Sequence, residues 1–189
     1  MLCAIRGKDK EKVNARNTSK EESPFYCPRC SDELNLRKGM LRVHHFAHKP
    51  PVLCSFGLGE SEAHRKCKLS IYDALLKAEG VKDCELEKNL GDFTPDVFAS
   101  IRNVPVAIEV QISNLTMQEI IRRTEHYKRA SISVLWLSLF NRGLDEKKYT
   151  PRAWEKWLHA TYFGRVYYWL ADSTVLPVHF NDYMSSRDN

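Results

Sequence analysis

The sequence predicts a mixed α/β (α+β) fold on three observations. Segments from Ser61 onward alternate between helix-like and strand-like patterns in the order α-β-β-β-α-β. A stretch rich in cysteine and histidine precedes them, and two acidic residues interrupt otherwise apolar strands. The expected division is residues 1–50, an N-terminal arm with a small Cys2His2 metal-binding, zinc-ribbon-like module, and residues 51–189, the αβββαβ core with a C-terminal αββ extension. A chain of 189 residues is long enough for one well-packed core plus a module that needs a staple of its own.

Residues 6–23 are rich in Lys, Glu, Asn and Ser and read as a solvated arm or exposed hairpin. From Pro24 the character changes: Phe25-Tyr26-Cys27-Pro28-Arg29-Cys30 opens a compact stretch ending at His48. Residues 33–36 and 40–43 are expected to pair as a hairpin about Arg37-Lys38-Gly39. Lys49-Pro50-Pro51 then marks a boundary, because consecutive prolines resist both helix and sheet.

Ala63, Cys67, Ile71, Ala74 and Leu75 recur at helical spacing over residues 61–78, and Gly80 ends the helix. Strands are predicted at residues 84–90, 94–101 and 104–112, separated by Gly91-Asp92 and Arg102-Asn103. Thr116 with Glu119 three residues later is a capping-box signature opening a helix over residues 116–130, which carries Met117, Ile120, Ile121 and Tyr127. Residues 132–140 form an apolar run of strand length. After Pro151 comes a helix with Trp154, Trp157 and Leu158, then strands at residues 165–170 and 175–180. From Ser61 this is the core order of the PD-(D/E)XK nuclease fold.

Composition narrows the class. Charged residues make up 28% of the chain and no apolar run approaches the ~20 residues of a membrane span, so a soluble globular protein without membrane partners is expected. The opening MLCAIRGKDKEK lacks the apolar core of a secretory signal, which points to the cytoplasm. Six cysteines in that setting read as thiols or metal ligands; Cys3, Cys54, Cys67 and Cys84, at no recognisable spacing, read as core thiols. A net charge of +5 is compatible with a polyanionic partner.

In residues 106–112 the side chains alternate, so Glu109 and Gln111 share the face opposite Val106, Ile108, Val110 and Ile112. If Arg102-Asn103 is a two-residue hairpin loop, Ile101 pairs with Val104 and the register sets Asp96 opposite Glu109. Directly opposed residues stand roughly 4.5–5.5 Å apart at Cβ, where like charges repel unless a cation lies between them. Mg2+ or Mn2+ suits such a pair, with Asp96 and Glu109 as ligands and Glu87 as a further carboxylate. Gln111 stands where a lysine often completes this motif, so a cation is expected from elsewhere, with Lys68 and Lys88 as candidates.

Cys27 and Cys30, with His44, His45 and His48 following, place two thiolates and two imidazoles within a 22-residue span, a set that suits Zn2+. Spacing alone pairs His48 with His44, and His45 is the alternative.

Taken together, Cys27-Pro28-x-Cys30, His45-Phe46-Ala47-His48, Glu60-Ser61-x2-His64-x3-Lys68, Asp96-Val97, Ile108-Glu109-Val110-Gln111-x-Ser113, Arg123-x3-Tyr127 and the stretch His159-Ala160-Thr161-Tyr162-Phe163-Gly164-Arg165-Val166-Tyr167-Tyr168 resemble the competence protein CoiA-like family. The resemblance implies a PD-(D/E)XK nuclease fold behind a cysteine-histidine module and a link to incoming DNA in natural transformation. It favours Cys27, Cys30, His45 and His48 as the structural zinc set, and makes Gln111 a habit of the family. His64 and Lys68, one turn apart on the first helix, would border the cleft and orient a phosphate; Arg123 would meet a phosphate and Tyr127 would stack or pack.

The expectation is a metal-dependent deoxyribonuclease with Asp96, Glu109, Gln111, Glu87, His64 and Lys68 at its site, acting in DNA uptake, recombination or phage-related DNA processing. Its partners would be DNA and either further copies of itself or recombination or defence proteins. A non-catalytic DNA-binding accessory protein on a degenerate nuclease fold is the alternative.

Overall fold

The computed structural model describes residues 1–111, 115–146, 148–170 and 174–181. These fall into two compact units, Met1–Asn103 and Val104–Asn189.

The first unit opens with β1 (Cys3–Arg6), β2 (Lys12–Asn14), β3 (Phe25–Tyr26), β4 (Glu33–Arg37) and β5 (His45–His48), an antiparallel sheet in the order β2-β1-β3-β4-β5. The hairpin alternative for the polar N-terminal stretch is therefore the one adopted. Its first strand is not solvated, since Met1, Leu2, Cys3 and Ala4 are all buried. Along β4 the polar-apolar alternation puts Leu34 and Leu36 inward, where they join Phe25 and Phe46, whose ring centroids are 5.1 Å apart. Each such side chain contributes about 1.5–3 kcal/mol on burial.

The partner of β4 is the histidine strand itself, with Leu36 opposite Phe46 and Leu34 opposite His48, and not residues 40–43 as expected. Phe46 is the apolar residue that can reach the core. Met40 and Leu41 lie in the connecting loop at 103% and 94% exposure.

Helix α1 (Glu62–Lys77) is capped by the Ser61 hydroxyl, which accepts from His64 N at 3.2 Å. It buries Cys67 and Ile71 together with two cations, Arg65 and Lys68. After Gly80, at φ +73, come β6 (Val81–Leu86) and β7 (Val97–Ile101), paired antiparallel with an irregularity between Lys82 and Glu85. Both strands are offset from the expected residues 84–90 and 94–101. Asp83, at φ +51, lies within that irregularity, while Glu87, at φ +48, has already turned out of β6. Glu87 and Lys88 thus follow the strand, and Asp96 stands immediately before β7, its carbonyl accepting from Glu87 N at 3.1 Å.

The second unit contains β8 (Val104–Gln111), α2 (Met117–Arg129), β9 (Ser133–Leu139), α3 (Ala153–Thr161), β10 (Val166–Trp169) and β11 (Val175–Val178). Strand β9 pairs in parallel with both β8 and β10, and β10 pairs antiparallel with β11. Parallel neighbours need long crossovers, which α2 and α3 supply. Thr116 caps α2 by accepting from Glu119 N at 3.2 Å. Ile120, Trp136, Trp154, Leu158, Val166 and Tyr168 form the core here. Every expected element of this unit is present to within two residues; Ile112, assigned to the strand, and Ser113 lie outside the described residues.

The fold is a mixed α+β one. Among the described residues no helix is long and apolar enough to cross a membrane.

Candidate functional site

The first unit gathers an acidic cluster around α1. Glu60, His64 and Asp96 each offer a ligand atom, and these atoms lie within 4.8 Å of one another. Glu60 precedes the helix cap, His64 stands one turn inside the helix, and Asp96 leads into β7. His64 Nε2 lies 2.9 Å from Asp96 Oδ2, and its Nδ1 lies 3.8 Å from Glu60 Oε1.

Lys68, one turn beyond His64 and only 3% exposed, reaches Glu60 Oε1 at 2.7 Å, Glu87 Oε1 at 2.6 Å and Asp96 Oδ1 at 3.1 Å. Burial by itself would lower the pKa of this ammonium, but Glu87, Asp96 and Glu60 outweigh it and raise the pKa well above the ordinary lysine value. Burial likewise pushes Glu60 up, and Lys68 with the terminal ammonium pulls it down to about 2, so Glu60 is an anion at neutral pH. The family resemblance singled out His64 and Lys68 for the site, while Glu60 stood in the same motif without being assigned to it. The signal available was an acidic residue directly before a Ser cap.

Glu87 was expected as a further metal ligand, and the structure does not bring it into the metal-capable group. Its carboxylate accepts from Leu2 N at 2.8 and 2.9 Å, from Cys3 N at 2.9 Å and from Lys68, at 2% exposure. It serves as an anchor for the first strand. Lys88 is likewise no site cation: it pairs with Glu85 at 2.7 Å and lies over the Phe98 ring.

In the second unit Glu109 and Gln111 are buried, at 2% and 3% exposure. The alternation of β8 sets Glu109 in register with Trp136 and Gln111 with Ser138 of β9. Arg123 and Tyr127, one turn apart on α2, both donate to Glu109 Oε1. Tyr127 is fully buried, and burial first, then Glu109, raises its pKa far above the phenol value. The expected stacking role for Tyr127 therefore gives way to packing, because a ring without exposed surface offers no face to a base. Arg123 lies 5.4 Å from the Trp136 ring centroid.

A second group lies at the end of the antiparallel sheet: Cys27, Cys30, His48 and Cys54, again with ligand atoms within 4.8 Å of one another. This corrects the expected set. His45 is absent from it, since residues of opposite parity on β5 face opposite sides and His48 shares its side with Phe46. His45 Nδ1 lies 2.9 Å from the Val43 carbonyl instead. Cys54, read from sequence as a core thiol, takes the fourth place.

A carboxylate cluster of this kind on an α+β scaffold fits a nuclease-like domain, and residues 60–171 match the family model described as competence protein CoiA, nuclease-like domain. Residues 7–57 match that for the competence protein CoiA N-terminal domain. The chain belongs to the competence protein CoiA family. It is 28% identical over 128 residues to competence protein CoiA of Bacillus subtilis (strain 168), which covers 67% of this chain and 34% of that protein. The chain thus spans about a third of the length of the relative it matches. No solved structure gives a significant match.

Proposed function

We propose that this protein is a Mg2+- or Mn2+-dependent deoxyribonuclease of the PD-(D/E)XK type. The observation that carries the reading is the convergence of Glu60, His64 and Asp96 within 4.8 Å, at the foot of α1 and β7. Carboxylate oxygens are the donors hard divalent ions take, and the one imidazole nitrogen is better suited to Mn2+ than to Mg2+. Glu109 joins the reading as the second strand carboxylate on the sequence register alone. A bound cation would supply a water of lowered pKa and neutralise the charge on the departing oxygen.

The chain's own residues have distinct tasks in this reading. Glu60 stays ionised under the pull of Lys68, ready to act as a ligand. His64 holds the Asp96 carboxylate in orientation through the 2.9 Å contact, and Lys68 keeps three carboxylates from repelling one another before a cation arrives. The net charge of +5 favours encounter with a polyanion, and binding should weaken steeply as salt rises.

One observation favours a second reading. Lys68 already occupies the middle of the carboxylates and offsets part of their charge, and Gln111 brings no charge, an arrangement that suits a DNA-binding protein whose chemistry has lapsed. Purified protein is assayed on single-stranded, duplex and branched DNA with each metal, beside Asp96→Asn. Cleavage that disappears in the variant while DNA affinity persists supports the enzyme. Absence of cleavage at concentrations where DNA is bound supports the accessory protein.

A further inference from the structure

The cysteine-rich group in the first unit has no counterpart in the chemistry proposed above. Cys27 follows β3, Cys30 closes a Cys-Pro-Arg-Cys turn, His48 ends β5, and Cys54 arrives six residues later, beyond Pro50-Pro51. Cys30 Sγ and His48 Nε2 are 3.3 Å apart, and all four ligand atoms lie within 4.8 Å of each other, yet all three cysteines are free thiols.

Two details separate this group from cysteines that merely pack. Cys27 Sγ accepts from Arg29 N at 3.4 Å and Cys54 Sγ accepts from Phe56 N at 3.4 Å, each bond coming from the residue two further on. Such N–H donors stabilise a thiolate, and the chain builds the same device twice, in two separate turns. The second detail is convergence: side chains from the turn after β3, the end of β5 and the segment beyond the prolines bring their ligand atoms within 4.8 Å of one another.

We infer that Cys27, Cys30, His48 Nε2 and Cys54 form a tetrahedral Cys3His zinc site. Zinc–sulfur bonds of about 2.3 Å and zinc–nitrogen bonds of about 2.0–2.1 Å place tetrahedral ligand atoms roughly 3.5–3.8 Å apart, which a group with every ligand atom within 4.8 Å of the others can meet. Three thiolates and an imidazole are a soft set that favours zinc over Mg2+ or Mn2+. Zinc binding releases the thiol protons, including the one Cys30 shares with Asp32 Oδ2 at 3.2 Å. The ion joins the knuckle after β3, the end of β5 and the segment after the prolines, three places that do not pair directly with one another in the sheet.

The full chain is purified and its metal measured by plasma mass spectrometry, with no DNA or second metal needed. The expected result is one zinc per chain, and cobalt substitution giving tetrahedral d–d bands with thiolate charge transfer. Cys54→Ser should bind at least ~10-fold more weakly, and His45→Ala should be unchanged. Because Cys54→Ser can also fail by misfolding, the unaltered protein is alkylated with and without a zinc chelator. Cys54 should be protected only when metal is present, while Cys84, outside the group, reacts equally in both. Protein that carries no zinc and takes up neither zinc nor cobalt overturns the site. So does iron in place of zinc, or a His45→Ala variant that loses metal while Cys54→Ser keeps it.

Discussion

Two polar clusters in the same unit solve the problem of buried charge in opposite ways. The carboxylates of Glu60, Glu87 and Asp96 carry their own cation, Lys68, at 2.6–3.1 Å. The thiols of Cys27, Cys30 and Cys54 gather around His48, with Asp32 Oδ2 at 3.2 Å from Cys30 Sγ, and no lysine or arginine is among the group's ligand-bearing residues. A cluster with a resident ammonium can form before any ion binds, whereas one without it stays protonated until a metal displaces the protons. On the readings proposed above, the first would suit an ion that comes and goes, and the second one that stays.

Stripping zinc should have the largest effect, because the apparent binding energy of structural zinc is on the order of 10 kcal/mol. Hydrogen exchange after chelation should show amide protection lost across β3, β4 and β5 but kept in α1. Equal loss in α1 would erase the distinction between the clusters. Next is Lys68→Met, which leaves three carboxylates facing one another at an expected cost of about 3–5 kcal/mol. Mn2+ should raise the Tm of this variant more than that of the unaltered protein. A loss below ~1 kcal/mol, or no extra response to Mn2+, would mean that Lys68 is not what holds the carboxylates together.

The smallest effect belongs to the exposed fork of Arg16 on Asp73, with bonds of 2.7 and 2.8 Å, which sets a scale for ion pairing in solvent. Arg16 holds the Asp73 carboxyl below its ordinary value of 3.8. A depressed carboxylate contributes stability that is present above the unfolded value and lost as pH falls through the folded one. Asp73→Asn should therefore cost less than about 1 kcal/mol at neutral pH, and in denaturant titrations the difference should begin to shrink near pH 3.8 and vanish once the pH falls below the depressed folded value. A gap as large as that of Lys68→Met would show that burial is not what distinguishes the web.

The helices were legible from sequence because their caps and periodicity are local: Ser61 and Thr116 start α1 and α2 where the pattern placed them. The acidic site was partly legible, since His64 and Lys68 stand one turn apart on a readable helix. That Lys68 is buried among carboxylates depends on where residues 87 and 96 arrive, which no local pattern encodes. The thiol site misled for a more specific reason. The string His45-Phe46-Ala47-His48 looks like paired ligands, but strand alternation sends its two histidines to opposite sides. Cys54 was hidden because the prolines before it read as a border, while the ligand group extends past residue 50. From sequence, Met1 to Ala4 read only as lacking the apolar core of a secretory signal and belong to no assigned element, although Glu87 binds the backbone of Leu2 and Cys3 and the core covers them.

The loop between β4 and β5 is fastened at both ends and loose in its middle. Lys38 Nζ donates to the Thr18 carbonyl at 2.6 Å and Val43 N to Glu62 Oε1 at 2.8 Å, while Met40 and Leu41 between them touch solvent almost entirely. Insertions or a grafted peptide tag or fluorophore at this tip should therefore ride on the molecule without disturbing either the carboxylate or the thiol cluster.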